Sequence, residues 1–265
     1  MTVEVMWSSP EPPRVLPVLA TKEAWRIVRH PLALAGLALW ILRVADDGWA
    51  GPRPAFSALT SEMTIYWGIP LFFAAHLVAS SAGRAEEMLA VAPSDLSRRT
   101  AALCLAALGP FAVSCAALAA LAGLYEVTGN ELERWPYLSE LASGPVNMLA
   151  GCLLGVAVAR WLRWPGAPVL VMVGLMAVDM MLLDSRDWYM FSIYLEFALW
   201  GPPPSLDAVG FIPGHSGPHA LYLLSLGVGA GALAMLKDSS RPGVWLAAGL
   251  AAVAGAAVSG VAQLW

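Results

Sequence analysis

The chain has 265 residues, of which 58% are hydrophobic and 13% are charged, and its formal net charge is −4. Soluble domains have roughly 45–50% apolar and about 25% charged residues, so this composition predicts a membrane protein. The charges are spread over many loops without a basic stripe, which excludes nucleic acid as an expected partner. The three cysteines lie in apolar runs and lack metal-ligand spacing.

The N-terminal region predicts two short segments ahead of the membrane. Residues 1–20 are rich in proline, so we expect an irregular cytoplasmic N-terminus there. Residues 21–30 place Trp25 beside the basic residues Arg26 and Arg29. This pattern predicts an amphipathic helix that lies at the membrane interface and connects to the first span.

The remainder, 31–265, is predicted to be an all-α, polytopic membrane helix bundle. Each crossing needs about 20 apolar residues to cover about 30 Å of hydrocarbon. Pro70 predicts a kink in the second span. The aromatic segment 187–218 contains a run too short to cross, which predicts a re-entrant or interfacial element on the outer face. Six to seven spans are expected, at 31–45, 63–83, 100–124, 145–162, 166–183, 219–236 and 243–264.

Lysine and arginine counts set the expected orientation. With the N-terminus in the cytoplasm, eleven basic residues fall on the inner side and four on the outer side. The sequence therefore predicts a multi-pass protein of the cytoplasmic (inner) membrane with a cytoplasmic N-terminus. Seven spans would place the C-terminus outside.

His76 lies near the middle of the second predicted span, and Asp179 lies in the outer half of the fifth. A charge at the centre of a membrane helix costs about 2.5–3.5 kcal/mol on insertion scales, so such residues face the bundle interior, a partner or water. Both are candidates for a translocation pathway, and the alternative for each is a hydrogen-bonded packing residue.

Small residues recur at four-residue spacing in two spans. Gly151 with Gly155, and Gly227 with Gly231, have the spacing that allows close helix contact in membranes. The contact is expected either within the chain or between subunits.

One charged stretch, GRAEEMLAVAPSDLSRRT, separates the second and third spans. Met88 and Leu89 lie on an apolar helical face, whereas Glu86 and Glu87 lie off it. Pro93 stops the helix. We therefore expect a short cytoplasmic amphipathic helix within the loop 84–99. No phosphate-binding GxxxxGK[ST] motif occurs in the chain, so nucleotide energy would have to come from another chain.

The layout resembles the membrane (permease) subunit of type-2 ABC transporters, the ABC-2 exporter family. The likeness rests on the basic helix KEAWRIVRHP before the first span, on GRAEEMLAVAPSDLSRRT after the second, and on the aromatic outer segment. By this resemblance a coupling helix docks on the ATPase, and the connecting helix touches the ATPase or lipid headgroups. The implied coupling residues are Arg84, Glu86, Glu87, Met88 and Leu89, and the implied connecting-helix residues are Trp25, Arg26 and Arg29.

The resemblance also implies partners and a mechanism. A separate ABC ATPase would carry ATP and Mg²⁺, so no cofactor, metal or catalytic residue is expected on this chain. A second permease chain, identical or homologous, would complete an alternating-access exporter in the lipid bilayer. The family commonly has six spans, so the predicted seventh is a departure from its pattern.

Two other functions stay open from the sequence. One is a non-transporting membrane scaffold or accessory subunit that uses the same docking helix. The other is an intramembrane enzyme of the CAAX-protease-like type, which would use His76, Asp179 or the Glu86–Glu87 pair. In this chain Val91 replaces the arginine of that family's pattern.

Overall fold

The computed structural model describes residues 15–84, 95–183, 199–201, 203–204 and 214–263. Over these residues the protein is helical and has no strand, which confirms the predicted all-α class. The helices are α1 (Val15–Val28), α2 (Pro31–Asp47), α3 (Pro52–Thr60), a π-helical turn (Thr64–Gly68), α4 (Ile69–Arg84), α5 (Leu96–Ala106), α6 (Leu108–Thr128), α7 (Leu138–Trp161), α8 (Ala167–Leu183), α9 (Ser216–Asp238) and α10 (Pro242–Ala262).

Five helical runs within the described residues are long and apolar enough to cross a membrane. They are Pro52–Ser81, Leu96–Thr128, Leu138–Trp161, Ser216–Asp238 and Pro242–Ala262. A sixth is present if α1 and α2, which meet at 55°, form one broken span. These runs are typical of a membrane-spanning protein. The predicted fifth span corresponds to α8, which reaches the end of the described range 95–183 at Leu183.

The first helix is longer than the sequence indicated. It begins at Val15, so the last residues of the segment expected to be irregular are helical. Pro17 is tolerated there because N–H groups in the first turn of a helix have no partner within the helix. The helix ends before His30, which precedes Pro31 and adopts an extended conformation (φ −63°, ψ 137°). A residue before proline is disfavoured in the helical region, and this produces the bend.

The second span is interrupted ahead of Pro70. The π-helical turn Thr64–Gly68 precedes α4, so the irregularity predicted at Pro70 covers the turn before it. Proline has no N–H to donate to the carbonyl of Tyr66, four residues earlier. Gly36 of α2 lies against this place, since a Cβ there would be 2.8 Å from Pro70 and 3.0 Å from the Tyr66 carbonyl oxygen.

Helix α7 lies at the centre of the bundle and packs against α4, α6 and α9. A Cβ on Gly155 would be 2.5 Å from the Phe72 carbonyl oxygen, and one on Gly227 would be 3.0 Å from the Ala150 Cα. These two glycines therefore permit close contacts between helices of the same chain. In contrast, α10 exposes apolar side chains such as Leu250 and Val253, which suits contact with lipid.

Part of the predicted outer aromatic segment 187–218 can be described. Trp200 packs against Phe72 with the ring centroids 5.6 Å apart, and its carbonyl accepts a hydrogen bond from the Thr64 hydroxyl at 3.3 Å. The segment's last residues already belong to α9, which begins at Ser216. Most of the segment lies outside the described residues.

Candidate functional site

The ends of four helices meet at one end of the bundle, which we call the basic end. They are the C-termini of α4, α7 and α9 and the N-terminus of α5. These ends carry five of the eleven basic residues expected on the cytoplasmic side, namely Arg84, Arg98, Arg99, Arg160 and Lys237. The predicted coupling loop 84–99 starts and finishes here, because α4 ends at Arg84 and α5 begins at Leu96.

A buried polar cluster joins three of these helices. The Thr100 hydroxyl on α5 donates to the Asp238 carboxylate on α9 at 2.5 Å. The Arg160 side chain, at the end of α7, lies 3.4 Å from the same carboxylate oxygen. Lys237 Nζ donates to the Arg160 carbonyl at 2.6 Å. Because Asp238 is only 4% exposed, its charge depends on these partners, and the three helix ends are held together.

Helix α1 lies across the two helices that the coupling loop connects. It packs on α4, α5 and α6, and Ile27 is completely buried in these contacts. Arg26 donates to the Ser81 hydroxyl near the end of α4 at 2.8 Å. On the other side, Ala24 closely contacts Gly109, where an added Cβ would be 2.7 Å away. Any displacement of α4 or α5 at this end would therefore move α1 or break its contacts.

The three predicted connecting-helix residues have different environments. Arg26 is engaged inside the chain, since it contacts Glu23 at 2.8 Å as well as Ser81. Trp25 and Arg29 are exposed, and the Arg29 guanidinium lies 4.5 Å from the Trp25 ring centroid. These two residues form an outward-facing cationic and aromatic pair.

Of the predicted coupling residues, only Arg84 lies on a described helix, and its side chain is outside the description. Glu86, Glu87, Met88 and Leu89 lie outside the described residues. The loop's far end is fixed by Asp95, whose carboxylate accepts hydrogen bonds from the Ser97 hydroxyl at 2.7 Å and the Ser97 amide at 3.3 Å. These hydrogen bonds lower the pKa of the Asp95 carboxyl below its ordinary value.

The two predicted pathway residues are not brought together among the described side chains. His76 is 2% exposed, and its Nε2 lies 3.2 Å from the Ser80 hydroxyl. Its backbone lies at the crossing of α4 and α7, because a Cβ on Gly155 would be 3.1 Å from the His76 amide nitrogen. Asp179 belongs to α8, and its side chain is outside the description.

Sequence reasoning missed several buried polar residues. Glu62 is 9% exposed, yet the second span was predicted to start one residue later, at Met63. Thr100 and Arg160 lie within the predicted spans 100–124 and 145–162, and Asp238 lies two residues beyond the span 219–236. Nothing in the sequence indicated that these three side chains meet. The available signal for burial of Glu62 and Asp238 was that each is an acidic residue within two positions of a predicted apolar span.

No group of three or more histidine, cysteine, aspartate or glutamate residues could hold a metal ion within the described ranges. No protein-family model, curated protein or solved structure matches the chain.

Proposed function

We propose that this chain is the transmembrane permease subunit of an ABC transporter, acting as an exporter. A separate ATPase would bind at the basic end and drive substrate translocation by alternating access. The layout that resembles ABC-2 permeases supports this function, together with the membrane-spanning helices and the lack of a phosphate-binding motif in the chain.

The position of α1 is the observation that carries the proposal. This helix touches α4 through the Arg26–Ser81 hydrogen bond and touches α5 and α6 through packed residues. Helix α1 therefore contacts both α4 and α5, the two helices that the charged loop 84–99 connects. A partner that displaces this loop moves α4 and α5 against α1, and such discrete movements of packed helices are a common form of transport gating.

The buried cluster at Thr100, Arg160 and Asp238 extends this route into the bundle. It connects α5 to the central helix α7 and to α9. Movement received at the loop would thereby reach the helices that pack around the middle of the membrane domain. A second permease chain, identical or homologous, would face this bundle across the pathway, and ATP with Mg²⁺ would be held by the partner ATPase.

The proposal is tested by reversing both charges of the acidic pair, Glu86→Lys with Glu87→Lys, in the complete chain. The variant is purified with its ATPase and reconstituted into vesicles. We expect ATP-driven transport to be lost while membrane insertion is retained, because the docking surface has the wrong charge. The matched control is Glu131→Lys with Glu133→Lys, at the opposite end, which should transport normally.

Two results would contradict the proposal. One is unchanged ATP-driven transport in the Glu86 and Glu87 variant. The other is a wild-type complex that binds an ATPase but moves no solute, which would favour the non-transporting scaffold.

A further inference from the structure

The second membrane span contains a break at the end opposite the basic end. The run Pro52–Ser81 is interrupted at Ser61, which leaves the helical conformation (φ −125°), and it then continues through the π-helical turn Thr64–Gly68. Broken membrane helices and π-helical turns both recur at sites that bind ions or small solutes.

An acidic side chain occupies this break. Glu62 is 9% exposed, and its Oε2 atom has no hydrogen-bond partner among the described residues. A buried carboxylate without partners is costly unless it is neutralised or bound. An ionisable side chain buried at the break of a membrane span therefore points to a binding role.

The nearest positive charge does not fully compensate Glu62. Arg43 on α2 interacts electrostatically with Glu62, but its guanidinium also contacts Asp47 and lies 3.5 Å from Asp46. These four residues comprise three acids and one base, so the group carries an excess of negative charge. This excess favours a positively charged ligand.

A second buried group faces the same place from α6. Tyr125 is 1% exposed, its hydroxyl has no hydrogen-bond partner among the described residues, and it interacts electrostatically with Glu62. The hydroxyl lies close to Gly48, where a Cβ would be 2.3 Å away. From α7, Glu140 is bonded to Arg134 at 2.6 Å, so the positive charge of Arg134 is already balanced by Glu140.

The available atoms select the class of ligand. Hard metal cations such as Ca²⁺ and Mg²⁺ take six or more oxygen ligands. Among the described side chains at this place, two oxygen atoms lack a hydrogen-bond partner, on Glu62 and Tyr125. A proton requires only the carboxylate. The side chains of Arg43 and Asp47, 35% and 32% exposed, connect Glu62 to the surface at this end.

We propose that Glu62 is a proton-binding site in the broken second span. When the proton is bound, the carboxyl is neutral. When the proton leaves toward Arg43 and Asp47, the carboxylate that remains is balanced in part by the charge of Arg43. This site does not depend on an ATPase partner, so it stands or fails separately from the proposed function.

The test uses the full chain in lipid nanodiscs and infrared difference spectroscopy during a pH titration. A neutral carboxylic acid has a carbonyl stretching band that the carboxylate lacks. We expect a band that disappears reversibly as the pH rises, and that is absent from Glu62→Gln. The matched control is Glu126→Gln, an exposed neighbour of Tyr125, which should retain the band. Identical spectra for the wild type and Glu62→Gln at every pH would overturn the proposal.

A second variant keeps a readout if Glu62→Gln does not fold. Glu62→Asp retains a carboxyl group on a shorter side chain, so the band should persist but shift in frequency or in the pH at which it disappears. A band in Glu62→Asp identical to that of the wild type would overturn its assignment to residue 62.

Discussion

A single hydroxyl joins the beginning of α5 to the end of α9. Thr100 is fully buried and donates to Asp238, which also contacts Arg160. A carboxylate in such a place needs each of its donors, because removing one leaves a desolvated charge partly unsatisfied. This hydrogen bond therefore contributes more to the free energy of unfolding than a hydrogen bond from a surface hydroxyl would.

Thr100→Val keeps the shape of this side chain and removes its donor. We expect the free energy of unfolding to fall by about 1–3 kcal/mol, the usual cost of leaving a buried polar group without its partner. Thermal unfolding of the detergent-solubilised protein measures the change. The control is Thr128→Val, since Thr128 is exposed and bonds only to carbonyls of its own helix. Equal unfolding temperatures for the two variants would contradict the role given to Thr100.

Where α4 and α7 cross, a glycine of α7 lies directly against the backbone of α4. A Cβ at Gly155 would meet backbone atoms of Phe72 and His76, which cannot rotate away. The four-residue glycine spacing predicted a close contact of this kind. It did not indicate the partner helix, because spacing within one helix carries no information about the other.

Gly155→Ala should force α4 and α7 apart. We expect a loss of about 1–3 kcal/mol in stability, the usual cost of overfilling a packed core. Gly123→Ala is the matched control, because a Cβ at Gly123 in α6 would meet nothing within 4 Å. That control should be neutral or slightly stabilising, since alanine favours helices more than glycine does. Unfolding in detergent compares the two, and a neutral Gly155→Ala would show that the helices can separate freely.

Helix boundaries could be predicted only where a local rule decides them. Pro31 fixes the start of α2, and Asp95 caps α5, as residue preferences predict. The π-helical turn before Pro70 was predicted only as a kink, because proline removes one hydrogen bond without dictating how the preceding turn rearranges. The helical start at Val15 was missed because proline suggests irregular chain, although it is tolerated in a first turn.

For the whole bundle, hydrophobic runs predicted the membrane class, since this property accumulates over many residues. The candidate sites were less accessible to sequence reasoning. Thr100 and Asp238 are 138 positions apart, so only the folded arrangement brings them together. Glu62 and Tyr125 are 63 positions apart, and neither belongs to a motif.

The predicted orientation of the bundle can be tested by cysteine labelling in intact cells. Glu131→Cys and Ser240→Cys lie at opposite ends on exposed positions and are placed in a chain whose three native cysteines are replaced. A membrane-impermeant maleimide should label Glu131→Cys in intact cells, and Ser240→Cys only after permeabilisation. This expectation follows from the excess of lysine and arginine at the basic end. Labelling of Ser240→Cys in intact cells would reverse the orientation.

The run Leu96–Thr128 is longer than a membrane crossing needs, and this determines where a partner could act on it. Its 33 residues extend about 50 Å at about 1.5 Å per residue, whereas the hydrocarbon layer is about 30 Å thick. Tilt absorbs only part of this mismatch. Since an apolar helix end is retained in the hydrocarbon more readily than a basic one, we expect Arg98 and Arg99 to stand clear of the acyl chains. The first turns of α5 would then project above the lipid surface. A partner that displaces them would also move the part of the helix that lies within the membrane.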